Sequence, residues 1–180
     1  MTGSPRGAWT TRMEKRSVEA IVRALNEASV RYLIAGGVAV VAHGYVRFTA
    51  DLDVILDLDG DNLRKALAAL AALGYSPRAP VPIEQFADPI VREQWVREKG
   101  LTVFSLFSSR HPRTEVDLFV QAPLDFDRAY RAAVRWDIAP NAPATFVSLE
   151  DLLSLKRQAG RPRDLEDIDQ LTRVRKDSWP

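Results

Sequence analysis

Two aspartates, Asp51 and Asp53, stand one residue apart in an otherwise apolar run, and their type and spacing suit them to chemistry. The run from Ala50 to Leu58 predicts a β-strand. Side chains alternate across a strand, so the two carboxylates share one face and the apolar residues between and after them share the other. Two carboxylates held together repel each other, and both stay ionised most easily when a cation lies between them. The spacing therefore indicates a metal site.

A pair of glycines upstream supplies the complementary feature. Gly36 and Gly37 follow a short apolar run, Tyr32 to Ala35, that predicts a buried strand, and they open a helical segment from Val38 to His43. Backbone N–H groups at the start of a helix favour a phosphate group. One short stretch thus combines a metal site with a phosphate site, which favours an enzyme that handles nucleotides.

Composition sets bounds on the fold and on the partners. The 180 residues, 46% of them hydrophobic, suffice for one compact domain with its own core, with or without a small appended lobe. There are no cysteines, so a metal would be held by oxygen atoms or by the two histidines. The net charge of +1 lacks the strong basic excess that is usual in a dedicated nucleic-acid binder.

The N-terminal residues lack the apolar segment of a signal peptide, and no run of about 18 apolar residues occurs. We therefore expect a cytoplasmic protein that spans no membrane.

Helical and strand periodicities alternate along the chain and predict an α/β (α+β) fold, a mixed sheet flanked by helices. Besides the elements named above, strands are expected over Leu101 to Phe107 and Glu115 to Val120. Helices are expected over Glu14 to Val30, Asp61 to Leu73, Asp125 to Val134, Leu149 to Ala159 and Arg163 to Val174.

The remaining segments divide the chain. Residues 1–13 are predicted to be a disordered tail, and residues 14–135 to be the core. Within the core, residues 75–100 are interpreted as an irregular insertion with one or two short helices, because four prolines interrupt them. Residues 136–180, beginning with an extended segment to Val147, are predicted to be a small C-terminal helical lobe packed on the core.

A third acid lies on a later strand. In the run from Glu115 to Val120, Asp117 shares a face with Glu115, and the apolar residues share the other face. Either acid can join Asp51 and Asp53, although the position of Glu115 at the strand's start favours solvent exposure. His43 and His111 are interpreted as structural or solvent-facing.

Lys156 continues the apolar stripe that Leu149, Leu152 and Leu153 mark on their helix. A lysine at such a position either extends along the surface to keep its ammonium in water or directs it inward to something anionic. The pattern leaves both options open.

The order of these parts resembles the DNA polymerase β-like nucleotidyltransferase superfamily. Its signature is a glycine-containing turn, a strand with two acids one residue apart, and a third carboxylate; the match covers about residues 30 to 120. Arg47 and Thr49, placed before Asp51 and Asp53 in an R-x-T-x-D-h-D pattern, are similar to small bacterial members.

The C-terminal part carries a second, shorter resemblance. Lys156, Ala159 and Arg161, followed by Asp164 and Asp167, are similar to the K-x-x-A…R and D-x-x-D motifs of abortive-infection type nucleotidyltransferase toxins. One departure concerns the glycine pair. Many members of the superfamily have Ser or Thr in or just after it, where this chain has Val38, so backbone N–H groups must hold the phosphates.

The resemblance implies a metal-dependent, pyrophosphate-releasing nucleotidyltransferase, with Mg²⁺ or Mn²⁺ as cofactor and an NTP as substrate. The implied metal ligands are Asp51, Asp53 and Asp117. The implied phosphate-binding residues are Gly36, Gly37, Arg47 and Thr49, with Lys156 on a phosphate or the leaving group. Arg47 could instead hold its own loop.

The implied acceptor is RNA, as in toxin-like members that modify tRNA with a cognate antitoxin protein, or a small hydroxylated molecule, as in antibiotic-modifying members. A third alternative is a non-catalytic nucleotide-binding module of a two-protein system.

Overall fold

The computed structural model describes residues 14–177, so the predicted N-terminal tail lies outside the described residues. The strands are β1 Tyr32–Ile34, β2 Asp51–Leu56, β3 Ser76–Pro77, β4 Val103–Phe107, β5 Glu115–Phe119, β6 Val134–Ala139 and β7 Ala142–Phe146. The helices are α1 Lys15–Glu27, α2 Gly36–Ala42, α3 Gly60–Ala72, α4 Pro89–Lys99, α5 Phe126–Ala132, α6 Leu149–Ala159 and α7 Pro162–Asp177, with a 3-10 helix at Ile83–Ala87.

The seven strands form one mixed sheet in the order β3-β4-β5-β2-β1-β7-β6. Strand β2 lies at its centre, antiparallel to β1 and parallel to β5. Helices flank the sheet, and the predicted fold class is confirmed. Within residues 14–177, no helix is both long and apolar enough to cross a membrane.

The pairing of β2 with β5 determines which side chains meet. Leu52 lies opposite Val116 and Val54 opposite Leu118, and all four are buried. Because neighbouring residues on a strand point to opposite faces, the intervening acids of both strands project together from the other face. A parallel pair needs a long crossover connection, and here the crossover contains α3, β3, the 3-10 helix, α4 and β4.

Helix α2 is a short apolar helix in the interior. From Gly37 to Ala42 each residue is buried, and the helix packs against β2 and α6. It starts at Gly36, two residues before the predicted start at Val38, and ends at Ala42, one residue before the predicted end at His43. The helix fixes the position of the glycine turn relative to the acidic strand.

Residues 75–100, expected to be an irregular insertion with one or two short helices, contain the 3-10 helix and α4 and contribute to the core. Phe86 is buried, and the ring of Trp95 stacks on Phe104 of β4 with 5.1 Å between ring centroids. Helix α4 starts at Pro89, where the Asp88 side chain accepts from the amide of Ile90. A proline at the first helical position and an aspartate before it are the usual start signals.

Residues 134–146 form a hairpin, β6 and β7, and β7 extends the sheet by pairing with β1. Helix α6 follows, with Ser148 as its N-cap accepting from the amide of Asp151 at 3.1 Å. Gly160, with φ +61°, ends α6 and leads into α7, which packs against it. The C-terminal lobe starting at residue 136 stays a prediction, since two strands of the main sheet fall within that range.

Candidate active site

The structure brings the predicted acids together on one face of β2 and β5. Asp53 pairs in register with Asp117, and Asp51 pairs with Glu115. Directly opposite side chains on adjacent strands are close neighbours, and like charges in such positions destabilise the pair. Four carboxylates thus converge on a small area of the sheet.

Asp53 shows the clearest consequence of this crowding. Burial, followed by the nearby carboxylates of Asp117 and Asp51, raises the pKa of Asp53 to about 6. The ammonium of Lys156 and the backbone amide of Gly37 act in the opposite direction. A bound cation would favour the ionised form of Asp53.

Asp51 lies at the exposed end of the same face. Burial raises its pKa, as do the charges of Asp117 and Glu115, whereas Arg163 and Arg78 lower it. Two arginines from different elements therefore lie near Asp51. Neither arginine could be identified from local patterns, because Arg78 follows β3 and Arg163 lies on α7.

Glu115 and Asp117 are distinguished by their partners. Glu115 accepts two hydrogen bonds from the guanidinium of Arg78, the one from Nε at 2.8 Å, and this pairing lowers the pKa of Glu115. In the described part of the chain, no lysine or arginine forms an ion pair with Asp117, Asp53 or Asp51. This difference favours Asp117 as the third acid, a role that stays a prediction.

Both positions of the turn require glycine, because side chains of the acidic strand and of the segment before it approach them closely. A β-carbon on Gly36 would lie 1.8 Å from Asp53 Oδ2, and one on Gly37 would lie 2.3 Å from Thr49 Oγ1. Gly36 also has φ +59°, in the left-handed region that favours glycine. The turn therefore packs directly on the acidic strand and on the segment that precedes it.

Thr49 places a hydroxyl group beside the glycine turn. The superfamily pattern has Ser or Thr in or just after the turn, where this chain has Val38. Val38 is fully buried in the core. Thr49 is also buried, its Oγ1 against Gly37 and 3.4 Å from the carbonyl oxygen of Asp51. A hydroxyl is thus present at the glycine turn, although it comes from a different part of the sequence.

Arg47 is held in an ion pair with α7. Its Nε donates to Asp167 Oδ1 at 2.6 Å and its Nη2 to Asp167 Oδ2 at 2.9 Å, while Nη1 donates to the carbonyl of Phe48 at 2.8 Å. All three nitrogens of the guanidinium are therefore occupied. The predicted contact of Arg47 with phosphate stays a prediction.

Lys156 is directed inward rather than along the surface. Its side chain is 10% exposed, and Nζ lies 2.8 Å from Asp164 Oδ1 and 2.9 Å from Asp167 Oδ2. The two acids of the D-x-x-D motif are thus its anionic partners, and its charge also reaches Asp53. Sequence reasoning identified the lysine and the motif separately but missed their contact, which depends on the packing of α6 on α7.

The two histidines have structural contacts. His43 Nε2 lies 2.9 Å from the carbonyl oxygen of Val147, and His111 Nδ1 lies 2.9 Å from Ser17 Oγ. Neither contact involves the acidic face.

The donor set fits a hard divalent cation. No ion pair between described residues involves Asp51, Asp53 or Asp117, and their side chains offer only oxygen atoms, which Mg²⁺ prefers. Among residues 14–177, no group of three His, Cys, Asp or Glu side chains is arranged as a complete metal site. Mg²⁺ usually binds through one or two carboxylates together with substrate phosphates and water. The aspartates therefore fit this ion although protein side chains alone do not complete its coordination.

Comparison with known proteins supports the fold. No protein-family model matches the sequence, and no curated protein matches it. Among solved structures, the lincosamide antibiotic adenylyltransferase LnuA with bound lincomycin gives a TM-score of 0.55 at 15% identity, over 90% of this chain and 98% of its own. ANT(2")-Ia in complex with adenylyl-2"-tobramycin gives 0.52 at 15% identity, over 91% and 95%.

A third structure, terminal uridylyl transferase 4 from Trypanosoma brucei with bound GTP, gives a TM-score of 0.31 at 16% identity, over 59% of this chain and 30% of its own. That score is too low to carry an argument. The first two structures show that the chain has a nucleotidyltransferase-like fold.

Proposed function

We propose that this chain is a metal-dependent nucleotidyltransferase, which moves a nucleoside monophosphate from an NTP to a hydroxyl group and releases pyrophosphate. The observation that carries the proposal is the packing of the acidic face on the glycine turn, with Asp53 against Gly36 and in register with Asp117. The fold shared with the lincosamide antibiotic adenylyltransferase LnuA and with ANT(2")-Ia supports it.

Asp51, Asp53 and Asp117 would hold Mg²⁺ or Mn²⁺, which supplies neutralisation of phosphate charge when bound. Asp117 accepts the proton of the acceptor hydroxyl. The hydroxyl oxygen attacks the α-phosphorus in line, the bond from that phosphorus to the bridging oxygen breaks, and pyrophosphate leaves. The amides of Gly36 and Gly37 and the hydroxyl of Thr49 bind the β- and γ-phosphates. Positioning and charge stabilisation supply most of the rate increase.

The ion pairs that Arg47 and Lys156 form with acids of α7 also influence this site. Arg47 and Lys156 carry positive charge next to the acidic face, and Lys156 bears on the charge state of Asp53. Since both are paired with Asp167, they act on phosphate through the field they create and through any contacts they gain when nucleotide binds.

RNA, and tRNA in particular, is the acceptor we propose first, with the chain as the toxin of a pair that includes an antitoxin protein. The motif formed by Lys156, Asp164 and Asp167 supports this choice through its likeness to abortive-infection type toxins. Arg78 and Arg163 near Asp51 add positive charge where an acceptor phosphate could lie.

A small hydroxylated molecule is the second candidate acceptor. The two similar structures, which contain adenylyl-2"-tobramycin and lincomycin, are matched over nearly their whole length. The net charge of +1 also suits a small acceptor better than a long polynucleotide.

The test is incubation with each α-labelled NTP and Mg²⁺, with either total RNA or a pool of small hydroxylated metabolites. Label that moves to one pool, together with pyrophosphate release, establishes the reaction and the acceptor class. The Asp53→Asn variant serves as the control and should transfer no label. Nucleotide binding without pyrophosphate release from any NTP would instead identify a non-catalytic binding module.

A further inference from the structure

Asp167 is a fully buried carboxylate between two cations, and folding alone does not require it there. It is 0% exposed and forms an ion pair with Arg47 on one side and with Lys156 on the other. A buried ion pair is rarely the most stabilising choice, because desolvation of the charges offsets much of their attraction. Its value therefore lies in the geometry that it imposes.

The geometry concerns the segment 44–50, which has no regular secondary structure and leads directly into β2. Such a segment needs other contacts to define its position. Helix α7 supplies three of them, and they follow one another along the segment: Tyr45 to Glu166, Arg47 to Asp167, and the carbonyl of Phe48 to Arg163.

Of these three contacts, only the one between Arg47 and Asp167 is a buried, bidentate ion pair. Parallel hydrogen bonds from two guanidinium nitrogens to two carboxylate oxygens fix both distance and orientation. Tyr45 and Arg163 make single contacts that are exposed to solvent. Asp167 therefore sets where Arg47 lies, and Arg47 comes within 3.3 Å of a β-carbon built on Gly37.

We propose that Asp167 is a positioning residue of the active site: through Arg47 it holds the segment Arg47 to Asp51 so that Thr49 packs on Gly37 and Asp51 stands beside Asp53. The role of this arrangement in nucleotide binding rests on the proposed function. The arrangement itself exists in the protein without nucleotide, so it can be tested separately.

The first measurement follows the backbone amide signals of Gly37 and Thr49 by NMR in the protein without nucleotide. Asp167→Asn keeps the shape of the side chain and removes its charge, and we expect both signals to shift or broaden. The matched control is Asp169→Asn on the same helix, whose carboxylate pairs with Arg173 in solvent. The control should leave both signals unchanged.

The second measurement compares kinetics. Asp167→Asn should raise KM for the NTP by about tenfold or more and change kcat less, because a displaced segment weakens ground-state binding. Arg47→Gln should have the same effect, and the double variant should be no worse than either single variant, since both act through one contact. Arg47→Gln also provides the test if Asp167→Asn does not fold.

The outcomes separate the two proposals. Unchanged Gly37 and Thr49 signals in a folded Asp167→Asn protein would overturn the positioning role, as would additive effects of the two substitutions on KM. Shifted signals in a protein that binds no NTP would uphold the positioning role and overturn the proposed nucleotidyl transfer.

Discussion

The carboxylate of Asp53 occupies the space beside Gly36 in which a β-carbon would lie. The two residues belong to different elements, α2 and β2, and their contact joins the glycine turn to the acidic strand. Neither can be enlarged or moved without displacing the other, so the turn and the acidic face form one unit.

Replacement of Gly36 by alanine should therefore abolish activity and reduce stability. The substitution places a methyl group onto Asp53 and strains a backbone with φ +59°, for which we expect a loss of about 1–3 kcal/mol from the strain alone. Gly100→Ala is the matched control, because Gly100 has φ +60° and open space around it. Urea unfolding and turnover should be measured for both. If Gly100→Ala lost as much activity as Gly36→Ala, the contact with Asp53 would not be the cause.

Asp53 should make the protein less stable as pH rises from about 4 to about 6. Its pKa in the folded state is raised from 3.8 to about 6, so in this window the folded protein holds a proton that the unfolded chain has lost. Stability falls wherever the folded state binds more protons, here by roughly 3 kcal/mol at about 1.4 kcal/mol per pKa unit. Asp53→Asn removes this term.

The measurement is urea unfolding of both proteins at several pH values without metal. The difference in free energy of unfolding between Asp53→Asn and wild type should grow as pH rises through the window. A difference that stays constant from pH 4 to pH 7 would contradict the raised pKa.

Asp117→Asn should lower turnover by a factor of a hundred or more, in the usual range for loss of a general base (about 10²–10⁴). Glu115→Gln, on the same face of the same strand, should retain most of the activity because Glu115 is already paired with Arg78. Melting temperatures of both variants provide the check that the fold is intact. The reverse ranking would assign the third acid to Glu115.

The local part of this site could be predicted from the sequence because its signals are local. Alternation along a strand places Asp51 with Asp53, and a glycine pair before a helix marks the turn. Short helices within residues 75–100 were expected, but the packing of Trp95 and Phe86 could not be predicted, since their partner Phe104 belongs to a later strand. The same limit applies to the position of Thr49 at Gly37.

The two interpretations of Lys156 show most clearly what the sequence could not predict. The apolar stripe of α6 indicated that position 156 faces inward or lies at the edge of the buried face, but it carried no information on the partner. Asp164 and Asp167 lie on another helix, and their pattern alone resembles an ordinary solvated helix face. Only the packing of α6 on α7 brings the three side chains together.

Lys156→Met should destabilise the protein, because Asp164 and Asp167 are buried and the substitution leaves Asp164 without its cation. Removal of one partner from a buried ion pair costs about 3–5 kcal/mol. Lys65→Met, at an exposed position of α3, is the control and should stay within about 0.5 kcal/mol of wild type. The readout is urea unfolding at neutral pH. Equal stability of the two variants would show that the buried pair contributes nothing.

Mg²⁺ with an NTP should raise the melting temperature more than the same NTP with EDTA. A ligand that binds only the folded state stabilises it by about 2.7 kcal/mol at 100 times its Kd, and the acidic face binds phosphate poorly without a cation. In Asp53→Asn the Mg²⁺-dependent part of the shift should disappear. Equal shifts with Mg²⁺ and with EDTA in the wild-type protein would place the nucleotide elsewhere.

The parallel pairing of β2 with β5 also has a consequence for how the chain folds. The two strands are separated by the whole crossover, so their pairing closes a long loop, and such contacts are slow to form. The same pairing sets Asp51 against Glu115 and Asp53 against Asp117, so charge repulsion opposes the step. The attraction between the two strands comes from the buried face, where Leu52 lies opposite Val116 and Val54 opposite Leu118. The acidic face therefore depends on a contact between strands far apart in the chain. We expect dissolved cations that screen the carboxylates of β2 and β5 to accelerate the formation of this contact.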